Sequence, residues 1–253
     1  MIVPVTAAEV RDVPCVIDHL NRDLAVAEDA RRGVFTHAGV RLELSRSPDW
    51  LADGLPGDEE WRIEWVKFYE GLDLAHAYAV TGDPDLLSAW EELVSAFCER
   101  VPVGHDTSDV SARRVQNWLY AWQRFRGTPG FPGLRPGLAD TLARRIAEDC
   151  AHLEDHLTPE RNHRTLECYT LLLGGIALGD RDRAVRALLL LAGNARADIL
   201  DDGVQRELST DYHCIVLRSL LGAILCARRE GLGIPADLAD RANRACDFAL
   251  HVQ

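Results

Sequence analysis

Two polar clusters in this sequence could do chemistry. The first is Thr158-Pro159-Glu160-Arg161-Asn162-His163-Arg164. The second runs Asp201-Asp202-Gly203-Val204-Gln205-Arg206-Glu207-Leu208-Ser209-Thr210-Asp211-Tyr212-His213, and each cluster leads straight into a strongly apolar stretch. Asn, His, Tyr, Arg and Glu together suit proton transfer and the binding of carboxylates. A neutral asparagine can hydrogen-bond a carboxylate without fully cancelling its charge. A tyrosine near cations or a helix N-terminus can have its phenolate stabilised. Singly, each residue also has an ordinary structural use. Asn162 can be a cap or loop residue, Tyr212 a core residue with a satisfied hydroxyl, His163 and His213 structural, and Glu207 the partner of an arginine.

Such clusters act together only if the elements behind them bring them to one rim. Residues 61–253 read as repeated helical hairpins, with helices expected at 64–80, 85–100, 112–125, 138–157, 163–178, 183–200, 209–230 and 236–251. Thr81-Gly82-Asp83-Pro84 ends one helix and starts the next, because Gly supplies a left-handed C-terminal residue and Asp-Pro opens a helix. The connectors TGDPDLL and LGDRDRA are alike in form, which suggests a toroid or solenoid of α-hairpins, with an ordinary helical bundle as the plainer alternative. Residues 171–176 and 216–225 look buried nearly all round, whereas 140–152 are polar on one face, as inner and outer rings would require. Ser209, Thr210 or Asp211 can cap the helix after the second cluster, placing Tyr212 and His213 in its first turn. Residues 1–60 are expected to pack on this toroid. They comprise a helical pattern over 6–32 that contains Pro14, one small β-hairpin within 33–44 around His37–Gly39, and an irregular connector over 45–60.

The 253 residues are 47% hydrophobic, enough for one large domain or two small ones. A net charge of −12 argues against a nucleic-acid binder or a basic membrane-surface protein. Lys67 is the sole lysine beside 27 arginines, an excess that a GC-rich genome explains more readily than function. The longest apolar runs are short or, like 215–227, broken by Arg218 and Ser219, so no transmembrane helix is expected. The start, MIVPVTAAEVRDV, lacks a basic leader and a long apolar stretch, so a cytoplasmic location is expected, with a periplasmic or secreted one open if the N-terminus is truncated. The seven cysteines, at 15, 98, 150, 168, 214, 226 and 246, form no CxxC pair. They are expected to be reduced core thiols, without zinc, disulfides or any cofactor.

The segment DGVQRELSTDYHCIVLRSLL resembles the signature of the heparinase II/III-like and alginate-lyase-like polysaccharide lyases, with Asp202, Gly203, Glu207, Ser209, Tyr212 and His213 in register. HLTPERNHRTLECYTLLLGGIAL resembles the family's Asn-His segment, and Arg114-Val115-Gln116-Asn117-Trp118 its Arg-x-x-Asn-Trp helix. TGDPDLLSAW and GVFTHAGVRLEL fit the family's order, so the resemblance covers most of the chain. It implies an all-α, incomplete (α/α) toroid and β-elimination on a uronic-acid polysaccharide held in a long cleft. Asn162 would neutralise the uronate carboxylate and Tyr212 would be the acid or the acid/base. His163, Glu207, His213, Arg114 and Arg206 would bind substrate or shape the site, with no metal. The family usually continues into a C-terminal β-sandwich that supplies a further catalytic histidine or tyrosine, so a β-sandwich partner domain in a longer protein is expected beside the acidic polysaccharide.

Two other functions fit such a toroid. One is a non-catalytic glycan-binding or interaction module. The other is a glycoside hydrolase, which needs two carboxylates facing across the bond, with Glu207 paired to Asp211 or Glu160.

Overall fold

The computed structural model describes residues 10–14, 16, 22–52 and 55–252. Helix α1 is Leu24–Arg31, strands β1 and β2 are Val34–His37 and Val40–Glu43, and α2 is Glu59–Val66. Four hairpins follow: α3 (Tyr69–Thr81) with α4 (Pro84–Arg100), α5 (Ser108–Arg126) with α6 (Leu138–Asp155), α7 (Arg161–Ala177) with α8 (Arg181–Asp198), and α9 (Thr210–Arg229) with α10 (Ala236–His251). Helices α3, α5, α7 and α9 pack side by side as an inner row. Helices α4, α6, α8 and α10 back them on the outside. The four hairpins make the incomplete toroid that the sequence implied, and among the described residues the small hairpin is the one sheet.

Sequence chemistry accounts for the elements. In α4, Asp83 accepts from the Asp85 N–H and Pro84 opens the helix, while Leu86, Leu87, Trp90, Leu93, Val94 and Phe97 form the buried stripe. The inner helix α7 is buried without interruption from Thr165 to Ala177. The outer α10 buries only Leu238, Ala242 and Ala245. Gly175 lets α7 and α8 approach closely, since a Cβ there would lie 2.8 Å from the Ala184 nitrogen. Antiparallel pairing of His37 with Val40 leaves Ala38-Gly39 as a two-residue turn, both at positive φ.

Three expectations change. The helix expected at 64–80 is two helices, because the chain breaks at Lys67-Phe68 and Phe68 adopts φ 60°. The helical pattern of 6–32 is a helix only at Leu24–Arg31. Residues 10–14 are not helical, and 6–9, 15 and 17–21 lie outside the described residues. By length and mean hydropathy of 1.3, α9 is long and apolar enough to cross a membrane despite Arg218 and Ser219, so a broken apolar run is not a reason against a span. Here it packs as an inner helix against α7 and α10.

One end of the inner row is crossed by residues 10–14. The Arg11 N–H donates to Ala177 O at the end of α7, and the Val13 N–H to Gln123 Oε1 on α5. Arg11 pairs with Glu230 beyond α9, and Arg126 with Asp12. The other end carries the N-termini of α3, α5, α7 and α9. Cys98, Cys150, Cys168, Cys214, Cys226 and Cys246 are free, and Cys15 lies outside the described residues. Burial pushes the thiols of Cys98, Cys150, Cys168 and Cys226 up to about 12, so they stay protonated and inert at neutral pH.

Candidate active site at the helix N-termini

Helix α7 begins without a side-chain cap from Glu160, and Arg161 takes φ 76°. The cap comes from 45 residues away. Glu207 accepts two hydrogen bonds from Asn162 Nδ2, both 2.9 Å, and a longer one of 3.4 Å from the Asn162 N–H. Its negative charge lies at a helix N-terminus, where the macrodipole favours it. Gln205 fixes Glu207 in turn. Gln205 Nε2 donates to Glu207 Oε2 at 2.8 Å and to Asp198 Oδ2 at 2.9 Å, and the Glu207 N–H donates back to Gln205 Oε1. Asp198 is buried at the end of α8. Its carboxyl is pushed up, first by burial and then by the nearby Glu207 charge. From α8, Asn194 Nδ2 donates to Arg161 O and Thr165 Oγ1.

The backbone is strained on both sides of this clasp. Of the four described non-glycine residues at positive φ, Arg161 precedes Asn162 and Leu208, at 56°, follows Glu207. Such conformations cost of the order of 1 kcal/mol or more and persist only where surrounding contacts enforce them. Leu208 is 75% exposed, so no burial of its own side chain accounts for its conformation.

Ser209 is the residue that caps α9, accepting from the Tyr212 N–H at 3.3 Å. Tyr212 stands in the first turn, 45% exposed, and its hydroxyl has no hydrogen bond among the described residues. His163 is exposed, with Nδ1 3.9 Å from Asp109 Oδ2 of α5. Arg206 is exposed, and its guanidinium has no ion pair among the described residues.

Two expected site residues face inward instead. Arg114 is 1% exposed. Its Nη1 bonds Asp106 Oδ2 at 2.6 Å, its Nη2 bonds Ser111 Oγ, and it lies over the Phe97 ring at 4.4 Å. It is enclosed by protein and acts in packing here, although its Nε has no hydrogen-bond partner among the described residues. His213 is 3% exposed and donates from Nε2 to Ala245 O, edge-on to Phe248. It joins α9 to α10 and does not face the cleft side of α9. The clasp therefore brings together Asn162 and Glu207, with Tyr212, His163 and Arg206 on the same helix-start end.

Sequence reasoning missed Gln205, Asp198 and Asn194. Gln205 stands at a variable position of the signature, and Asp198 and Asn194 look like ordinary polar positions on an outer helix. Among the described residues no group of three His, Cys, Asp or Glu side chains could hold a metal ion.

Comparison with known proteins bears on the fold that carries these residues. The family model for the heparinase II/III N-terminus matches residues 27–253. No curated protein sequence matches. Among solved structures, a heparinase III superposes with a TM-score of 0.79 at 16% identity, covering 97% of this chain and 41% of that one. The heparan sulfate lyase HepC from Pedobacter heparinus superposes with a TM-score of 0.75 at 20% identity, covering 96% and 40%. This chain thus spans about two fifths of the length of those proteins, and at such identities the likeness concerns the fold.

Proposed function

Since the chain belongs to the heparinase II/III N-terminal family, we propose that it is the helical part of a polysaccharide lyase that cleaves uronate-containing chains by β-elimination. The observation that carries this reading is that the Asn162 amide and the Tyr212 hydroxyl, which has no hydrogen bond among the described residues, stand at the starts of two adjacent inner helices, α7 and α9. In elimination the C5 proton leaves to a base, its electron pair forms the C4–C5 double bond, and the C4–O4 bond breaks with a proton delivered to O4. Loss of the C5 proton builds negative charge on the adjacent carboxylate. An Asn162 N–H that binds this group more strongly as charge builds lowers the barrier. Glu207 holds the amide in place at the rim, and an N–H of its NH2 passes from Glu207 to the substrate carboxylate when substrate arrives. Tyr212 delivers the proton to O4, or serves as base and acid in turn.

The substrate we propose is a heparan-sulfate-like polymer, after the activity of the structural relatives. A C-terminal β-sandwich supplying a further catalytic group fits the short span of this chain against those relatives. A hydrolase built on Glu207 with Asp211 or Glu160 has less support, because both Glu207 oxygens are already engaged by Asn162 and Gln205. The test is the full-length protein incubated with heparan sulfate, alginate and other uronates. Elimination leaves an unsaturated uronate that absorbs in the ultraviolet. A new reducing end without that absorbance would mean hydrolysis, and neither product would mean a binding module.

A further inference from the structure

Below the rim, a pocket of about 250 Å³ opens between the inner helices α3, α5 and α9. Three arginines line it: Arg22 from the segment before α1, Arg113 from α5 and Arg218 from α9. Among the described residues no acidic side chain lines it. That is unusual in a chain of net charge −12, and among the described residues Arg113 and Arg218 have no acidic partner. The nearest counter-charge is Asp73, whose Oδ1 lies 3.7 Å from Arg22 Nε. Arg22 Nε is itself buried, with no hydrogen-bond partner among the described residues. A buried donor left unmatched carries a desolvation cost that an anion would relieve.

The pocket is held in shape from behind. Arg113 Nη1 donates to Gln116 Oε1 at 3.1 Å. Gln116 is 1% exposed and anchored on α7 by Thr170 Oγ1 at 2.7 Å and Leu166 O. Arg218 Nε donates to Cys214 O. The pocket also adjoins the proposed site. Tyr212, Ile215 and Ser219 lie at i, i+3 and i+7 of α9, so Tyr212 stands on the same helix face, about 5–10 Å nearer the rim. On α5, Asp109 faces His163 and lies one turn before Arg113.

We propose that this pocket is an anion subsite, taking the compact oxyanion substituent, sulfo or carboxylate, of a sugar next to the one at Asn162. Guanidinium matches both groups with paired N–H donors. The proposal rests on the lyase reading for what brings the sugar chain there, but its test is binding and not turnover.

The full-length protein is titrated calorimetrically with a sulfated uronate tetrasaccharide, its desulfated form, and its desulfated, carboxyl-reduced neutral form. The parent is expected to bind the anionic forms at least 10-fold tighter than the neutral one. Arg113→Ala with Arg218→Ala is expected to remove most of that preference while the neutral form binds as before. Loss confined to the sulfated form identifies a sulfo group, and loss on both anionic forms a carboxylate. Arg144→Ala with Arg186→Ala, on outer helices, is the charge-matched control and should keep the preference. Arg218→Gln, at an exposed position, carries the test if the double variant fails to fold. The proposal is overturned if the parent shows no preference for anions, if the variants keep it, or if the control loses it equally. A failed lyase reading would show instead as absent ultraviolet product with anion binding intact.

Discussion

Arg114 with Asn117 and Arg161 with Asn162 are the same residue types on neighbouring inner helices, put to opposite uses. In the first pair everything points into the protein. Asn117 Nδ2 donates to Lys67 O at 2.8 Å, and Arg114 reaches Val66 O and Asp106. Together they tie down the carbonyls freed where α2 breaks from α3. Phe68 turns in at that break among Trp50, Phe97 and Trp118. In the second pair the partner is a side-chain carboxylate, the backbone is strained, and the surroundings are only partly buried. Residue type does not separate the two pairs. What separates them is whether the amide closes on a main-chain carbonyl in a dry aromatic cage or on a carboxylate at an open rim.

The contrast breaks most clearly by removing one member of each pair. Arg114→Ala leaves Asp106 without its cation and opens a gap beside Phe97, so unfolding in urea should lose about 3–5 kcal/mol. Asn162→Ala loses the amide bonds to Glu207 and should cost about 1–2 kcal/mol, clearly less than Arg114→Ala, yet cut turnover about 10²-fold by leaving the substrate carboxylate uncompensated. Equal stability losses for the two would erase the distinction.

A pH series sharpens the interior side. Burial raises the Asp73 carboxyl to about 6, from 3.8 in the unfolded chain. The folded state therefore binds this proton more tightly. Its contribution is most favourable below about pH 4 and is lost as pH rises through about 6. Asp73→Asn can still accept from the Asp23 N–H, so it should gain on the parent by of the order of 2 kcal/mol at pH 8 and little at pH 4. Thermal melts at the two pH values decide it.

The smallest effect sharpens the rim. Glu207→Gln keeps the shape of the clasp but removes its charge and sets an amide against an amide. We expect kcat to fall about 10-fold with KM little changed. A change in KM alone would make Glu207 a substrate ligand instead of the group that positions Asn162.

How far the sequence carried these contrasts follows from the range of the interactions. The helical hairpins were legible because their signals are local, whereas their closing into an incomplete toroid came from the family resemblance, since the pattern alone also fits an ordinary bundle. Gly82 and Asp83, and Gly179 and Asp180, mark two hairpin connectors by their own backbone preferences, and the apolar run at 171–176 points to a helix buried nearly all round. The α2–α3 break was not legible, because the apolar spacing runs through it. It is set by Asn117, 50 positions away, and by the aromatic cage that receives Phe68. Both polar clusters were visible as clusters, but the Asn162–Glu207 clasp between them is a tertiary contact. Arg114 and His213 show that a motif position does not say which way a side chain points. Gln205 and Asp198 are unremarkable until the fold places them behind Glu207.

The central claim, that the rim of α7 and α9 does chemistry, is tested most directly by Tyr212→Phe in the full-length protein, assayed by ultraviolet absorbance on heparan sulfate alongside a thermal melt. The hydroxyl has no hydrogen bond among the described residues, so its loss should change stability by no more than about 0.5 kcal/mol. Turnover should fall about 10²-fold or more. A variant that turns over at the parental rate, or one that loses stability and keeps its rate, would contradict the account.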